Sequence, residues 1–311
     1  MTFARRTDAI LVIKLGSLGD FIQSFDAFSD IRAYHRGARI ALLTTPPFAA
    51  LARRSPWFDE VWTDGRPRWT QVLIWARLIA RLRRARFARV YDLQYNRRSA
   101  LLFRALGGAS GPAWLGKAKG CAFPEPPYPP DAGNVDRIRL HLASAGVPSG
   151  GEPDLSWLAD DVAALAPPAP FVLMAPGCSP HLPRKRWPAA NYAALGRRLA
   201  GRGYRVALVG TSADREAIAA IGAEFAEAVD LSGRTSLFQL ASLARMAAAV
   251  IGNDTGPIFL AAKIGAPTLT LMSSHTDEKR SAPRGPASRW LKRDELAELS
   301  VDEVERALDL P

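Results

Sequence analysis

The sequence predicts an α/β protein of two doubly wound domains in tandem. Three observations lead there. Short apolar runs alternate with amphipathic helical stretches along the chain, the signature of βαβ units and parallel sheets. The pattern restarts after a proline-rich stretch holding Pro167, Pro168, Pro170 and Pro176. The length of 311 residues is long for one core and comfortable for two. The expected domains are residues 1–160 and 161–311, with a C-terminal helix able to pack back on the first.

The elements follow in order. Ile10 to Ile13 is an apolar run closed by Lys14 and the turn Gly16-Ser17-Leu18-Gly19, as expected of a buried parallel strand. A helix is expected from about Asp20, with Phe21, Phe25 and Phe28 on one stripe. Ile40 to Thr44 is a strand, Val61-Trp62 a short one, Thr70 to Arg86 a helix and Arg89 to Leu93 a strand. In the second half, strands are expected at 171–175, 205–209, 249–251 and 268–271. Helices are expected at 189–200, 214–226, 237–246 and 257–264. Ser300 and Glu303 have capping-box spacing before a last acidic helix.

Composition excludes several classes. The chain is 48% hydrophobic and 23% charged, which rules out a disordered or fibrous protein. Cys121 and Cys178 offer no disulfide framework, and the four histidines are scattered, so neither a redox scaffold nor a zinc site is expected. A reducing cytoplasm fits. No window approaches a membrane span or a secretory signal. The net charge of +11 lies mostly in the first half, where 23 basic and 14 acidic residues precede residue 161. Arg66 to Arg104 alone holds 11 basic residues against Asp92. Such a field attracts anions. No reader module for nucleic acid is present, and none is expected as a partner.

Sheets of this kind bind ligands at the carboxyl ends of their strands, which puts the expected site in a cleft between the two domains. Lys14 to Asp20 is a strand end, a turn with two glycines and an acid at a helix start. Asp20 there is either a helix cap or a carboxylate facing ligand. The glycines match neither a P-loop nor a dinucleotide fingerprint. Pro176-Gly177-Cys178-Ser179, followed by Arg184-Lys185-Arg186-Trp187-Pro188, combines a backbone-rich turn with a fixed Lys. It reads as a phosphate site or a solvated basic cluster. Gly252-Asn253-Asp254-Thr255-Gly256-Pro257 lies between a strand and a helix with proline near its first position. The positive end of that helix favours an anion, and Asp254 can accept sugar hydroxyls. The competing reading is a capped turn. Asp214, after Gly210-Thr211-Ser212, suits a ribose diol or an N-cap. On Thr70 to Arg86, Arg77, Arg81 and Arg84 share one face, and Val72, Trp75, Ile79 and Leu82 another. This basic amphipathic helix suits an anionic bilayer, an acidic acceptor or plain solvent.

Taken together, these motifs resemble the ADP-heptose:lipopolysaccharide heptosyltransferases, glycosyltransferase family 9. The resemblance rests on Ile-Lys-Leu-Gly-Ser-Leu-Gly-Asp (13–20), Lys-Arg-Trp-Pro (185–188), Leu231 to Leu237, and Gly-Asn-Asp-Thr-Gly-Pro (252–257) followed by Leu260-Ala261-Ala262 and Gly265. It implies a GT-B fold, with acceptor bound by the first domain and nucleotide-sugar by the second. It also implies inversion at the anomeric carbon and no metal or other cofactor. By position, Asp20 matches the general base and Lys185 the cation that neutralises the leaving diphosphate. Ser17 and Gly19 belong to the loop beside the reacting centre. Asp254, Thr255 and Gly256 match the phosphate and donor-sugar loop, where Ser179 is a further candidate contact. Asp214 matches the acid near the ribose, and Thr235 lies in the block near the adenine. The implied partners are ADP-heptose and an anionic glycolipid acceptor of the lipopolysaccharide core. The implied location is the cytoplasm, with peripheral contact at the inner membrane. Phe259 stands where many relatives carry His, Asp26 where many carry Pro, and the 179–185 segment is longer than usual. The alternatives are a non-catalytic nucleotide-sugar-binding relative and a family member with a different donor.

Overall fold

The computed structural model describes residues 8–68, 70–178 and 185–310. The chain divides into two compact units, one ending at Trp157 and the other beginning at Leu158.

In the first unit the strands are β1 (Ala9–Ile13), β2 (Arg39–Thr44), β3 (Glu60–Thr63), β4 (Arg89–Asp92), β5 (Ala113–Gly116) and β6 (Phe123–Pro124). Between and after them lie α1 (Leu18–Ile22), α2 (Phe25–Tyr34), α3 (Pro46–Arg54), α4 (Val72–Arg84), α5 (Arg97–Ala105) and α6 (Asn134–Ser144). The sheet is parallel in the order β3-β2-β1-β4-β5-β6. The order reverses between β1 and β4, where β1 pairs Ile13 with Asp92. A crevice opens at such a reversal because the flanking connections depart to opposite sides of the sheet.

The second unit repeats the plan. Its strands are β7 (Phe171–Ala175), β8 (Arg205–Leu208), β9 (Val229–Asp230), β10 (Ala249–Asn253), β11 (Thr268–Ser273) and β12 (Ser288–Arg293). Its helices are α7 (Ala189–Gly201), α8 (Arg215–Glu224), α9 (Leu237–Met246), α10 (Gly256–Lys263), α11 (Glu278–Ser281) and α12 (Val301–Leu308). The order β12-β11-β10-β7-β8-β9 again reverses once, between β7 and β10. There β10 runs flush against β7. A Cβ on Gly252 would lie 2.4 Å from the Ala175 carbonyl oxygen, so only glycine fits.

The central strands are buried on both faces. β7, β10 and β11 expose none of their residues, as their Val, Ile and Leu content demands of a sheet covered by helices. In the first unit Phe21, Phe25 and Phe28 do form one aromatic cluster, with Phe21 to Phe28 centroids 5.3 Å apart and Trp57 5.1 Å from Phe25.

Several expectations change. The helix expected from Asp20 is two helices, α1 and α2, broken at Gln23-Ser24. β10 extends through Gly252 and Asn253, which the sequence reading placed in a loop. Asp214 precedes α8 in a 3-10 turn. Val72 is not part of the buried face of α4: Trp75 and Leu82 are buried and Ile79 half-buried, while Val72 is exposed. The first turn of α4 therefore projects beyond its support. The closing helix α12 buries Val304 and Leu308 in the core it shares with α7.

Candidate active site: two switch points

The motif ending at Asp20 and the two motifs holding Lys185 and Asp254 lie at the two strand-order reversals, whereas Asp214 and Thr235 follow β8 and β9. In the first unit the β1–α1 turn is held from several sides. Lys14 is buried, and its Nζ donates to the Leu93 carbonyl at 2.9 Å. The Leu15 N–H donates to Gln94 Oε1 at 2.6 Å. The Leu15 carbonyl accepts from Thr45 Oγ1 at 3.0 Å and from the Arg66 guanidinium at 2.7 Å. Gly16 has φ +111°, and an added Cβ would strike the Phe48 ring at 2.4 Å. Ser17 is the N-cap of α1, which overturns the reading of Asp20 as the cap itself. Asp20 sits three residues on. Its Oδ2 accepts from the Ser17 N–H at 3.2 Å and from Ser17 Oγ at 3.0 Å. The carboxylate is exposed, held by one oxygen at the positive end of a short helix. Gly19 is buried in the same turn.

Behind this turn lies a charged pair that the sequence reading did not single out. Burial pushes the Lys14 ammonium down from its ordinary pKa, against the attraction of Asp20 and Asp92. Burial also pushes Asp92 up to about 6, against hydrogen bonds from Ser99, Tyr95 and Gln94 and the attraction of Lys14. The unfolded chain releases the Asp92 proton near 3.8. The folded state therefore holds more protons between about pH 4 and pH 6, and stability falls as pH rises through that window. The size is about 3 kcal/mol, at 1.36 kcal/mol per unit. Asp92→Asn is neutral at every pH and lacks this slope. Urea unfolding of both forms at pH 4 and pH 7 checks it: wild-type stability should fall relative to the variant by roughly that amount. Parallel pH profiles would refute the assignment.

Nearby, Arg98 grips the buried Asp64 with two hydrogen bonds of 2.5 and 2.6 Å and covers the Trp75 ring at 4.1 Å. Asp64 Oδ1 also accepts the Arg66 N–H at 2.8 Å. One buried carboxylate thus orders the chain before α4.

In the second unit the reversal between β7 and β10 is stapled by Asn253. This fully buried side chain donates to the carbonyls of Pro176 and Gly177 at 2.8 and 3.1 Å. Its oxygen accepts from the Trp187 N–H at 3.0 Å and the Tyr192 hydroxyl at 3.2 Å. Trp187 is itself fully buried, with its indole N–H on the Leu299 carbonyl at 2.9 Å. So within Lys-Arg-Trp-Pro the tryptophan is core and Pro188 caps α7. The basic cluster is not simply solvated. Lys185 Nζ donates to Asp254 Oδ2 at 3.0 Å, with the two side chains 16% and 8% exposed. Thr276 Oγ1 donates to the same oxygen at 2.8 Å. Thr276, on the β11–α11 connection, was not expected from the sequence, because it belongs to none of the four motifs.

The pair stands where α10 begins. Thr255 is the N-cap, but its hydroxyl donates backward to the Asn253 carbonyl at 3.2 Å and makes no cap bond. Gly256 is the first helical residue and Pro257 follows without an N–H. Among the described residues the N-cap thus gives the first turn no side-chain acceptor, and its dipole favours an incoming anion.

The remaining candidates fall as follows. Asp214 accepts from the Thr211 N–H at 2.8 Å and Thr211 Oγ1 at 2.9 Å, so it does serve a capping box. It also packs over Gly177, where an added Cβ would lie 2.5 Å from Asp214 Oδ1. Thr235 is half-buried just before Ser236, the N-cap of α9. It makes no hydrogen bond with the other candidates among the described residues. Ser179 lies outside the described residues. The structure therefore brings together Ser17 with Asp20, and Lys185 with Asp254, Thr276 and the start of α10. Among the described residues no three His, Cys, Asp or Glu side chains converge as a metal site.

Two doubly wound parallel α/β units, with Asp20 at the order reversal of one and the Lys185–Asp254 pair at that of the other, make a two-domain protein of GT-B type. A model of glycosyltransferase family 9 (heptosyltransferase) matches residues 75–306. The chain is 29% identical over 281 residues to lipopolysaccharide heptosyltransferase 1 of Pseudomonas aeruginosa, covering 84% of this chain and 78% of that protein. It is 34% identical over 113 residues to lipopolysaccharide heptosyltransferase 2 of Salmonella typhimurium, covering 35% of this chain and 32% of that one. That match thus spans about a third of the curated relative's length. The solved structure of the Escherichia coli heptosyltransferase WaaC with ADP superposes with a TM-score of 0.77 at 21% identity, covering 97% of this chain and 99% of that one. The chain belongs to glycosyltransferase family 9.

Proposed function

We propose that this chain is an inverting, metal-independent glycosyltransferase that moves heptose from ADP-heptose to an anionic acceptor of the lipopolysaccharide core. The observation that carries the reading is the Lys185–Asp254 pair at the uncapped start of α10. A lysine and a helix N-terminus are two of the features a protein can offer a departing diphosphate without a metal. In this reading Asp254, Thr255 and Gly256 hold the phosphates and the donor sugar. Asp214 is turned toward the ribose, and Thr235 and Ser179 complete the nucleotide side. In the first unit Asp20 accepts the proton of the acceptor hydroxyl as that oxygen attacks the anomeric carbon. The bond from that carbon to the diphosphate breaks, and Lys185 meets the charge on ADP. Ser17 and Gly19 hold the base in place. The basic first unit draws in the acidic acceptor, at the cytoplasmic face of the membrane where such an acceptor is exposed.

Thermal unfolding with a panel of nucleotides tests the donor assignment. ADP and ADP-heptose should stabilise the protein by about 2.7 kcal/mol at a hundredfold excess over Kd, a shift of roughly 2–4 °C for each kcal/mol. UDP, GDP and dTDP should shift it far less. Equal shifts across the panel, or a larger one with another nucleotide, would reject ADP-heptose as donor. Absence of transfer to a core acceptor, with ADP-heptose bound, would reject the enzyme reading in favour of a binding relative.

A further inference from the structure

Among the described residues, three consecutive large apolar side chains stand out in solvent: Val72 at 66%, Leu73 at 74% and Ile74 at 46% exposure. They form the first turn of α4. The helix is anchored on its other side. Trp75 and Leu82 are buried, and the Arg98 guanidinium lies over the Trp75 ring. At 100° per residue, Leu73, Arg77, Ala80 and Arg84 make the crest opposite that anchor. Arg77 and Arg84 are exposed and have no acidic partner among the described residues. By contrast, Arg81 leans back onto Trp62 at 4.0 Å and Arg83 donates to the Ala105 carbonyl. The crest thus carries an apolar tip followed by two unpaired cations, one and three turns on.

We infer that the first turn of α4 is a lipid-docking hook that seats the first unit on an anionic bilayer surface. Burial of Val72, Leu73 and Ile74 below the headgroups removes apolar surface from water, and Arg77 and Arg84 meet lipid phosphates. Charge complementarity selects this occupant. Eleven basic residues and one acid lie between Arg66 and Arg104, and basic residues near an anionic leaflet are drawn to it. The tip is convex, at a helix end, and suits insertion into a soft interface. No helix among the described residues is long and apolar enough to cross a membrane, so the contact is one of lying on the surface. The inference rests on the reading that the acceptor is a membrane glycolipid, since docking would hold the first unit beside it.

Flotation with vesicles of phosphatidylcholine, with and without one-quarter phosphatidylglycerol, tests the proposal on the full chain. Wild type should float with the anionic vesicles, and less so at 0.5 M salt. The triple variant Val72→Ser/Leu73→Ser/Ile74→Ser should lose about tenfold or more in partition, and Arg77→Glu/Arg84→Glu about tenfold or more. All five side chains are exposed, so unfolding temperature should hold; Leu73→Glu alone serves as a second variant. Transfer to a delipidated, soluble acceptor should be unchanged in the Val72/Leu73/Ile74 and Leu73→Glu variants, which leave the basic residues in place, while transfer to vesicle-borne acceptor falls with partition. Equal flotation of wild type and variants overturns the hook, as does binding that ignores lipid charge. If variants lose flotation but no form transfers heptose to the soluble acceptor, the hook stands and the proposed activity fails. A variant that floats normally yet dimerises less would assign the tip to a second copy of the chain and likewise overturn the hook.

Discussion

Asp20→Asn is expected to lower the rate of sugar transfer by about 10²- to 10⁴-fold, the usual contribution of a positioned general base. ADP affinity should stay within about twofold, because every residue assigned to the nucleotide belongs to the second unit. The asparagine keeps an oxygen to accept from the Ser17 N–H and hydroxyl, as Asp20 Oδ2 does now. It therefore tests the proton acceptor and spares the cap. Asp20→Ala removes both and should in addition cost about 0.5–1.5 kcal/mol of stability, the scale of the capping-box hydrogen bonds it loses. Single-turnover transfer, with calorimetric titration of ADP, separates the two effects. An asparagine variant that keeps the wild-type rate would remove Asp20 from the chemistry. An alanine variant no less stable than the asparagine one would show that the Ser17 contact holds nothing together.

The second large effect is expected at Lys185. Lys185→Met should cost about 10²- to 10³-fold in transfer, the scale seen when one preorganised group facing developing charge is lost. Unlike the Asp20 variant, it should also weaken ADP binding, since the diphosphate carries its charge before as well as after bond cleavage. Part of the loss has a second origin. Asp254 is 8% exposed and receives both the Lys185 ammonium and the Thr276 hydroxyl on one oxygen. Among the described residues, removing the lysine leaves a nearly buried carboxylate with one side-chain donor, which is costly. Lys185→Met with Asp254→Asn should therefore be less damaging than the product of the single losses, with a coupling of about 0.5–3 kcal/mol. A double-mutant cycle on ADP affinity reads this directly. Strict additivity would mean that the pair does not act as a unit.

Much of this was legible in the residues. Ile10 to Ile13 and Phe171 to Ala175 are apolar runs too short for helices, followed or preceded within a few residues by glycine or proline. That pattern alone marks a strand buried on both faces. The motifs sit after such strands, so their place at carboxyl ends followed from chain order. Elements without a run of their own were not legible. β6 and β9 are two residues each and exist because a neighbouring strand supplies their hydrogen bonds.

Along the chain, local pattern determined the two α/β repeats, the glycine turns at their strand ends and the motifs of the family. Those features depend on residues near one another in sequence, where periodicity and turn chemistry act. Tertiary structure alone decided which side chains meet. Asn253 staples Pro176 and Gly177 from 77 and 76 residues away, and Thr276 reaches Asp254 across 22. Lys14 finds the Leu93 carbonyl across 79. Val72 shares a helical face with Trp75 on paper, yet stands in solvent because its neighbours end before it. Burial and partnership are properties of the packed chain: a buried polar group must find its partner wherever the fold brings one, and no local pattern says where that is.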